Sequence, residues 1–68
     1  MDGAVKSYDS KLGVGMLCPD RGGADVPVHA SEVERAGFAR LASGERLSFD
    51  VQTDKAQGRS FAVNLNRL

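Results

Sequence analysis

A regular alternation of apolar and polar residues between Arg46 and Thr53 is the feature that most limits what this chain can fold into. Leu47, Phe49 and Val51 occupy every second position, and the residues between them are polar. Because neighbouring side chains of a β-strand point to opposite faces, the pattern predicts a strand with one face toward a core and the other toward solvent. The segment therefore favours a fold built on β-sheet.

Turn-forming residues divide the rest of the chain into four more short segments of β character. The predicted strands cover Gly3–Tyr8, Gly13–Cys18, Asp25–His29 and Arg59–Leu65. One helical turn is predicted after the third of these five strands, where Ser31 can cap the first free backbone N–H groups and Gly37 ends the turn. Five short strands with a longer connection between the third and the fourth predict one all-β domain over residues 1–68, a five-stranded antiparallel Greek-key barrel of the OB-fold type.

The same period of two assigns faces to the second and third strands. On the second strand, one face carries Gly13, Gly15 and Leu17, and the other carries Val14 and Met16. On the third strand, Val26 and Val28 point inward, and Pro27 and His29 point outward. Proline has no backbone N–H to donate, so Pro27 is tolerable only at an edge or where that N–H would face solvent, and it predicts a short or loosened third strand.

Composition removes several functional classes. Sixty-eight residues suffice for one domain. The single cysteine, Cys18, cannot form an internal disulfide, and with the single histidine, His29, it cannot complete a closed zinc site. No apolar run approaches the roughly 20 residues of a membrane span, and no signal peptide is recognisable. We expect a soluble, cytoplasmic protein without metal or other cofactor and without a membrane partner, in which Cys18 is a small and at least half-buried hydrophobe.

The charge balance argues against strong, non-specific binding to nucleic acid. Nine basic residues face nine acidic ones, and no basic run is present. A basic surface supplies most non-specific affinity for nucleic acid, so a neutral chain is expected to bind weakly. A neutral protein can still collect its positive charge on one face, and binding therefore stays open.

Two catalytic interpretations fail on spacing. Asp25, His29 and Ser31 are too far apart along a strand to form a chain of orienting acid, base and nucleophile. The glycines of the second strand and of the following loop lack the Gly-Lys-Ser/Thr that a phosphate-binding loop requires. We expect no enzymatic activity.

A series of short motifs points to a particular family. The motifs are Gly3-Ala4-Val5-Lys6, Gly13-Val14-Gly15, Pro19-Asp20, Asp25 to Ser31, Gly37 to Leu41, Gly44 to Phe49 and Ala62 to Asn64. In this order and spacing they resemble a bacterial cold-shock domain over almost the whole chain. The resemblance implies the five-stranded barrel and binding of single-stranded RNA or DNA on an exposed aromatic face.

The chain departs from the family where that face is formed. Where the family has a Trp-Phe pair in the first strand, this chain has Ser7 and Tyr8. The family's Phe-x-Phe of the second strand matches Val14 and Met16, and the lysine that precedes the glycines matches Leu12. The family's Phe-x-His-Phe of the third strand matches Pro27, His29 and Ala30. Lys6, Tyr8, His29 and Phe38 keep the family's chemistry, and Lys11 lies one position away from the family's lysine. The nucleic-acid-binding residues implied by the resemblance are therefore Lys6, Tyr8, Lys11, Val14, Met16, His29 and Phe38.

The lost aromatic rings set the expected strength of binding. Stacking on an aromatic side chain contributes about 1–3 kcal/mol per base. Micromolar binding corresponds to only about 8 kcal/mol in total. Loss of five rings therefore predicts binding that is weak and low in base selectivity, through electrostatic contacts and limited stacking.

Phe61 has two interpretations. The family carries a small or polar residue there, so Phe61 could be a relocated stacking platform. Alternatively, Phe61 shares its strand parity with Val63 and Leu65 and packs inward, and the alternation favours this second interpretation.

The former binding face has an alternative use. Val14, Met16, Pro27 and Ala30, with Tyr8 beside them, form an aliphatic patch of the kind that often marks a protein partner or a homodimer. A regulatory or protein-binding module is therefore the alternative to a nucleic-acid-binding one. A further possibility is that the loop from Gly37 to Gly44 covers the patch.

Overall fold

Five antiparallel strands and one short helix form the protein in a computed structural model that describes residues 1–68. The elements are β1 (Asp2–Asp9), β2 (Val14–Pro19), β3 (Val26–His29), α1 (Ala30–Arg35), β4 (Arg46–Asp54) and β5 (Arg59–Arg67). Each predicted strand is present, with its ends displaced by at most two residues. The six-residue α1 is far shorter than a helix needs to be to span a membrane.

The strands follow the order β3-β2-β1-β4-β5 across the sheet. Because β4 returns to pair with β1 after three consecutive antiparallel strands, this is a Greek-key arrangement. The two edge strands, β3 and β5, pack against each other and close the sheet into a barrel. The third strand, β3, is short, as Pro27 predicts, and it lies at the edge, which is one of the two positions where Pro27 is tolerable.

Eleven apolar residues fill the barrel. They are Val5, Leu17, Val26, Val28, Val33, Phe38, Leu41, Leu47, Phe49, Ala62 and Leu65. The inward positions predicted for β3 are confirmed, since Val26 and Val28 are buried. On β2, the face that carries Gly15 and Leu17 is the one that points to the core. The backbones of β1 and β2 approach closely at Gly3, where a Cβ atom would lie 2.5 Å from the carbonyl oxygen of Cys18. A larger residue at position 3 would force these strands apart.

A bulge in β5 reverses the parity expected for Phe61. Ser48 pairs with Asn66 and Asp50 pairs with Val63, so β5 holds one more residue than β4 over this stretch. Asn64 takes up the extra residue with a left-handed backbone, φ 53°, which asparagine tolerates better than most residues. The favoured prediction that Phe61 packs inward is therefore wrong.

A second bulge, in β1, turns Tyr8 toward the core, whereas the bulge in β5 turns Phe61 away from it. Val5 pairs with Leu17 and Ser7 pairs with Met16, which leaves Lys6 as the extra residue. Ser7 therefore shares the outer face with Met16. Tyr8 lies opposite the buried Gly15 and packs against the core.

Three smaller predictions are also corrected. Cys18 is exposed because it lies on the face of β2 opposite to buried Leu17. Val51 is 40% exposed, since the β4–β5 hairpin extends beyond the packed core. Ser31 does not cap α1: the N-cap is His29, and no side chain bonds to the free N–H groups there.

The Gly37–Gly44 loop completes the core and does not cover the former binding face. Leu41 is buried, and the Gly44 N–H donates to the carbonyl of Val5 at 2.7 Å. The Ser43 hydroxyl donates to the carbonyl of Lys6 at 3.2 Å, beside the β1 bulge. The loop thus packs against the middle of β1.

Candidate nucleic-acid interface

Three neighbouring strands place a row of small and aliphatic side chains on the outside of the barrel. Met16 lies opposite Ser7 on β1 and opposite Pro27 on β3, and Val14 lies opposite His29. We call these five residues the outer face. Only Ser7 and His29 are exposed, and the other three are half-buried. Side chains directly opposite each other in an antiparallel pair are close enough to touch, so the outer face is a continuous surface with one aromatic ring, that of His29.

A second aromatic ring stands at the junction of β3 and β5. The Phe61 ring lies edge-to-face with the His29 imidazole, with ring centroids 6.1 Å apart and ring planes at 60°. Edge-to-face contact at this separation is a favourable arrangement for aromatic rings. The β5 bulge is what turns Phe61 toward His29. The Phe61 ring is half-buried. A stacking platform must be accessible to a base, and this ring, unlike a fully buried one, meets that requirement.

Phe61 and His29 border a cleft of about 460 Å³ at this junction, which we call the seam cleft. Its lining comprises Pro27 and His29 from β3 together with Asp54, Gln57, Arg59, Ser60 and Phe61 from the β4–β5 hairpin. Three rings, those of proline, histidine and phenylalanine, therefore meet polar and charged side chains in one concavity. The volume lies within the range of about 300–1,000 Å³ that is usual for small-molecule sites.

A broader hollow of about 700 Å³ lies at the β1–β2 hairpin. Tyr8, Lys11, Val14 and Met16 are among the residues that line it, so four of the sequence-predicted site residues are brought together here. The Asp9 carboxylate accepts the Lys11 N–H at 2.9 Å and holds the turn in place.

Gly15 is what makes room for the Tyr8 ring. A Cβ at this position would come within 2.8 Å of the ring atom Cδ1 of Tyr8 and of the Ser7 carbonyl oxygen. The Tyr8 ring is therefore held over the backbone of β2, half-buried, and is less available for stacking than an outer-face ring.

The structure does not bring Phe38 to this surface. Its side chain is 8% exposed and belongs to the core. The Arg67 guanidinium covers the ring from outside, with its carbon 4.8 Å from the ring centroid. The prediction that Phe38 binds a base does not fit this placement, because both the packing and the cation–π contact occupy the ring. Phe38 lies in a loop, where side chains do not alternate between two faces, so the sequence pattern could not predict its burial.

Four of the nine basic residues are engaged in ion pairs. The pairs are Lys6–Asp25 at 2.8 Å, Arg35–Glu32 at 3.6 Å, Arg67–Glu45 at 3.2 Å, and Arg46–Asp20, in which both terminal nitrogens of the guanidinium donate to the carboxylate. The other five basic residues, Lys11, Arg21, Arg40, Lys55 and Arg59, form no ion pair. Two of these free cations border the surface described above: Lys11 at the hollow and Arg59 at the seam cleft.

Lys6 is close to the outer face, but its charge is already paired. The hydrogen bond to Asp25, reinforced by that residue's negative charge, raises the pKa of the Lys6 ammonium above its usual value. The same two causes, from Asp20, raise the pKa of Arg46. A phosphate that approaches Lys6 must compete with Asp25. Elsewhere, no three His, Cys, Asp or Glu side chains come together in a way that could hold a metal ion.

Sequence reasoning missed most of the seam cleft. The sequence pattern indicates no binding role for Asp54, Gln57 or Arg59, which lie at or beside the turn between the last two strands. It offers a stacking platform as only one of two interpretations of Phe61. The one available signal was the aromatic residue at a position where the resemblance implies a small or polar one. The packing of β3 against the β4–β5 hairpin is a long-range contact that no local pattern reports.

The fold and the site define a class of protein: a small Greek-key barrel with a stacking surface and free cations on its outside, as in OB-fold proteins that bind single strands. The 'Cold-shock' DNA-binding domain model matches residues 1–68. The chain therefore belongs to the cold-shock domain family, and it is a nucleic-acid-binding protein of the cold-shock type.

Several curated relatives span the same length. The chain is 46% identical over 63 residues to cold shock protein CspA of Rhizobium meliloti, a match that covers 93% of this chain and 91% of the relative. A probable cold shock protein of Sinorhizobium fredii, y4cH, is 43% identical with the same coverage. A cold shock-like protein of Thermotoga maritima is 46% identical over 55 residues, which is 81% of this chain and 82% of the relative. The recognised family and fold are thus confirmed.

Proposed function

We propose that this protein binds single-stranded RNA or DNA weakly, without catalysis, along the outer face and the seam cleft. The contact between His29 and Phe61 is the observation that carries the proposal. It supplies an aromatic platform beside the outer face, which has lost the family's other rings. With about 1–3 kcal/mol available per stacked base, one such platform supports affinities weaker than micromolar.

The charges around the surface suggest a path for the strand. Bases lie against Val14, Met16 and Pro27 and stack at His29 and Phe61. The phosphates of the strand pass the free cations at the two ends of this surface, Lys11 at one end and Arg59 at the other. Phosphate contacts position a strand without reading its sequence, so the outer face discriminates little among bases.

Lys6, Tyr8 and Phe38 have unequal parts in this proposal. Lys6 contributes only after it exchanges Asp25 for a phosphate. Tyr8 offers a half-buried ring at the hollow. Phe38 is left out because its ring is buried under Arg67.

The protein-binding alternative is not favoured. The large apolar side chains that are well exposed are Met1, Leu12, Val51 and Leu68, and none of them belongs to the outer face. Met16, Val14 and Pro27 are half-buried by their neighbours, so the aliphatic patch is smaller than the alternation suggested. We place the protein in the cytoplasm, where a thiol such as that of Cys18 stays reduced.

The test is a titration of isotope-labelled protein with oligothymidine and with a mixed-sequence RNA, followed through the amide resonances at low and moderate salt. We expect shifts at His29, Phe61, Met16 and Lys11. The logarithm of the affinity should fall against the logarithm of salt with a slope of about −0.7 per contacted phosphate. An intact barrel that shows no shifts with either strand at high micromolar concentration would contradict the proposal.

A further inference from the structure

The seam cleft differs chemically from the outer face beside it. The outer face presents aliphatic groups, a hydroxyl and the imidazole of His29, and it shares Pro27 and His29 with the cleft. The cleft adds the carboxylate of Asp54, the amide of Gln57 and the guanidinium of Arg59 to its three ring side chains. Rings that stack on a base are tolerant of its identity, whereas fixed donors and acceptors at the base edge discriminate. Base selectivity in this protein is therefore most readily built at this one point.

We propose that the seam cleft holds a single base of the bound strand and selects guanine, with Asp54 as the reading residue. This inference rests on the proposed binding of single strands and adds one selective position to it. The base stacks between the rings of Pro27, His29 and Phe61. Its Watson–Crick edge faces the β4–β5 hairpin.

Asp54 is positioned for this role by its own turn. It is the last residue of β4 and is half-buried. Its Oδ1 atom accepts the Ala56 N–H at 3.0 Å, a bond that holds the side chain in place. Its Oδ2 atom has no hydrogen-bond partner within the protein, and no ion pair neutralises the carboxylate. A carboxylate with one unpartnered oxygen thus lines the cleft, held in place by its own turn.

The chemistry of the bases explains the selectivity. Guanine is the base whose Watson–Crick edge carries two adjacent donors, N1–H and N2–H, and a carboxylate offers two acceptors to match them. Adenine and cytosine place an acceptor next to their amino group, and uracil and thymine flank their single N–H with carbonyl oxygens. Each of these edges sets an oxygen or nitrogen lone pair against the carboxylate, which is unfavourable in a partly desolvated site.

Two neighbours complete the site. The Gln57 amide can donate to the O6 atom of guanine. Arg59 lies directly opposite Asp54 in the β4–β5 ladder and forms no ion pair. Its guanidinium can therefore receive the phosphate of the bound nucleotide, which offsets the negative charge of Asp54.

The experiment measures the affinity of short oligouridine strands that carry guanosine, inosine or adenosine at one central position. The unsubstituted oligouridine is the reference. We expect guanosine to bind about fivefold to a hundredfold more tightly than adenosine or uridine, the range for one good bidentate pair. Inosine lacks the N2 amino group and should fall between guanosine and adenosine.

Two matched variants assign the effect. Asp54→Asn retains an oxygen to accept the Ala56 N–H but removes the carboxylate, and it should abolish the preference for guanosine. Asp50→Asn makes the same charge change on β4, at a carboxylate that accepts the Asn64 amide at 3.0 Å, and it should leave the preference intact. Amide spectra of both variants establish that the barrel is folded.

The outcomes separate this inference from the proposed function. Equal binding of all four strands by the wild-type protein would overturn the guanine site while single-strand binding stands. Absence of binding to every strand would overturn both. A guanosine preference that survives in a folded Asp54→Asn variant would overturn the role of Asp54. If that variant is unfolded, the wild-type protein still tests the site: equal binding of the guanosine and inosine strands would overturn recognition of the N2 amino group by a carboxylate.

Discussion

The hollow at the β1–β2 hairpin and the seam cleft at β3 and β5 are two parts of one surface, and a β-bulge shapes each of them. The bulge in β1 turns Tyr8 over Gly15 toward the core. The bulge in β5 turns Phe61 outward against His29. Each region has one free cation, Lys11 at the hollow and Arg59 at the seam cleft, whereas Lys6 is paired with Asp25.

This contrast shows how a binding barrel can change the place where it binds without changing its fold. Successive side chains of a strand point to opposite faces of the sheet. One inserted residue therefore moves an aromatic ring from one face to the other. The centre of the family's aromatic face has become aliphatic here. The one contact between two aromatic rings, His29 with Phe61, lies at the barrel's closing seam.

The largest expected effect tests the assignment of Phe38 to the core. Phe38→Ala removes a buried ring and should lower the free energy of unfolding by about 3 kcal/mol, measured by chemical denaturation. Phe38→Leu, which keeps most of the volume, should fold and bind oligonucleotides as the wild type does. A loss of binding by folded Phe38→Leu would show that the ring belongs to the interface.

The next effect tests the seam against the outer face. Phe61→Ala should weaken binding to a single strand by about 1–3 kcal/mol, because a stacking platform is lost, with little change in stability since the ring is half-buried. Met16→Ala is the matched control on the outer face and should cost less. Affinities from fluorescence titration decide the comparison, and an equal or larger loss with Met16→Ala would reverse it.

A gain-of-function variant tests whether an added aromatic ring makes the outer face more like the seam cleft. Met16→Phe restores one ring to the outer face, opposite Ser7 and Pro27. We expect tighter binding by about 1 kcal/mol, at the lower end of the range for a stacked base, because no second ring stands opposite it. If calorimetric titration shows no gain, the outer face lies outside the path of the strand.

The smallest effect concerns the charge of Lys6. Asp25→Asn releases the ammonium, and a contact between Lys6 and one more phosphate should steepen the salt dependence by about 0.7. The affinity at low salt should rise slightly. An unchanged slope would mean that Lys6 does not meet the strand even when it is free.

The pKa of Lys6 sets the pH range of that ion pair. Because the pKa is raised in the folded protein, the pair contributes its stability in full below the ordinary lysine pKa and loses it as the pH rises through the folded value. Thermal unfolding near neutral pH should therefore not depend on this pair's titration. The contribution at an exposed pair is small.

Local patterns were sufficient to predict the strands and most of their faces. Leu47 and Phe49 are buried as the alternation indicates, and Pro27 lies at the edge where its missing N–H is tolerated. These predictions succeed because a strand's periodicity and a proline's lost donor are properties of a few consecutive residues. Val51 shows the limit: its face is right, but the core ends before it.

The candidate site was predicted less completely. The residues taken from the resemblance include Lys11, Val14, Met16 and His29, which do lie on or beside the outer surface. The burial of Phe38 and the pairing of Lys6 with Asp25 involve residues far apart in the chain. Periodicity carries no information about either.

The sequence by itself determined the five strands, their Greek-key barrel and the loss of aromatic rings from the centre of the binding face, because residue identity and spacing specify these directly. Only the tertiary structure decided which aromatic rings are available. Register along paired strands depends on how two segments fit together, and one extra residue in β1 and one in β5 turned Tyr8 inward and Phe61 outward. The seam cleft exists because β3 and the β4–β5 hairpin meet only when the barrel closes.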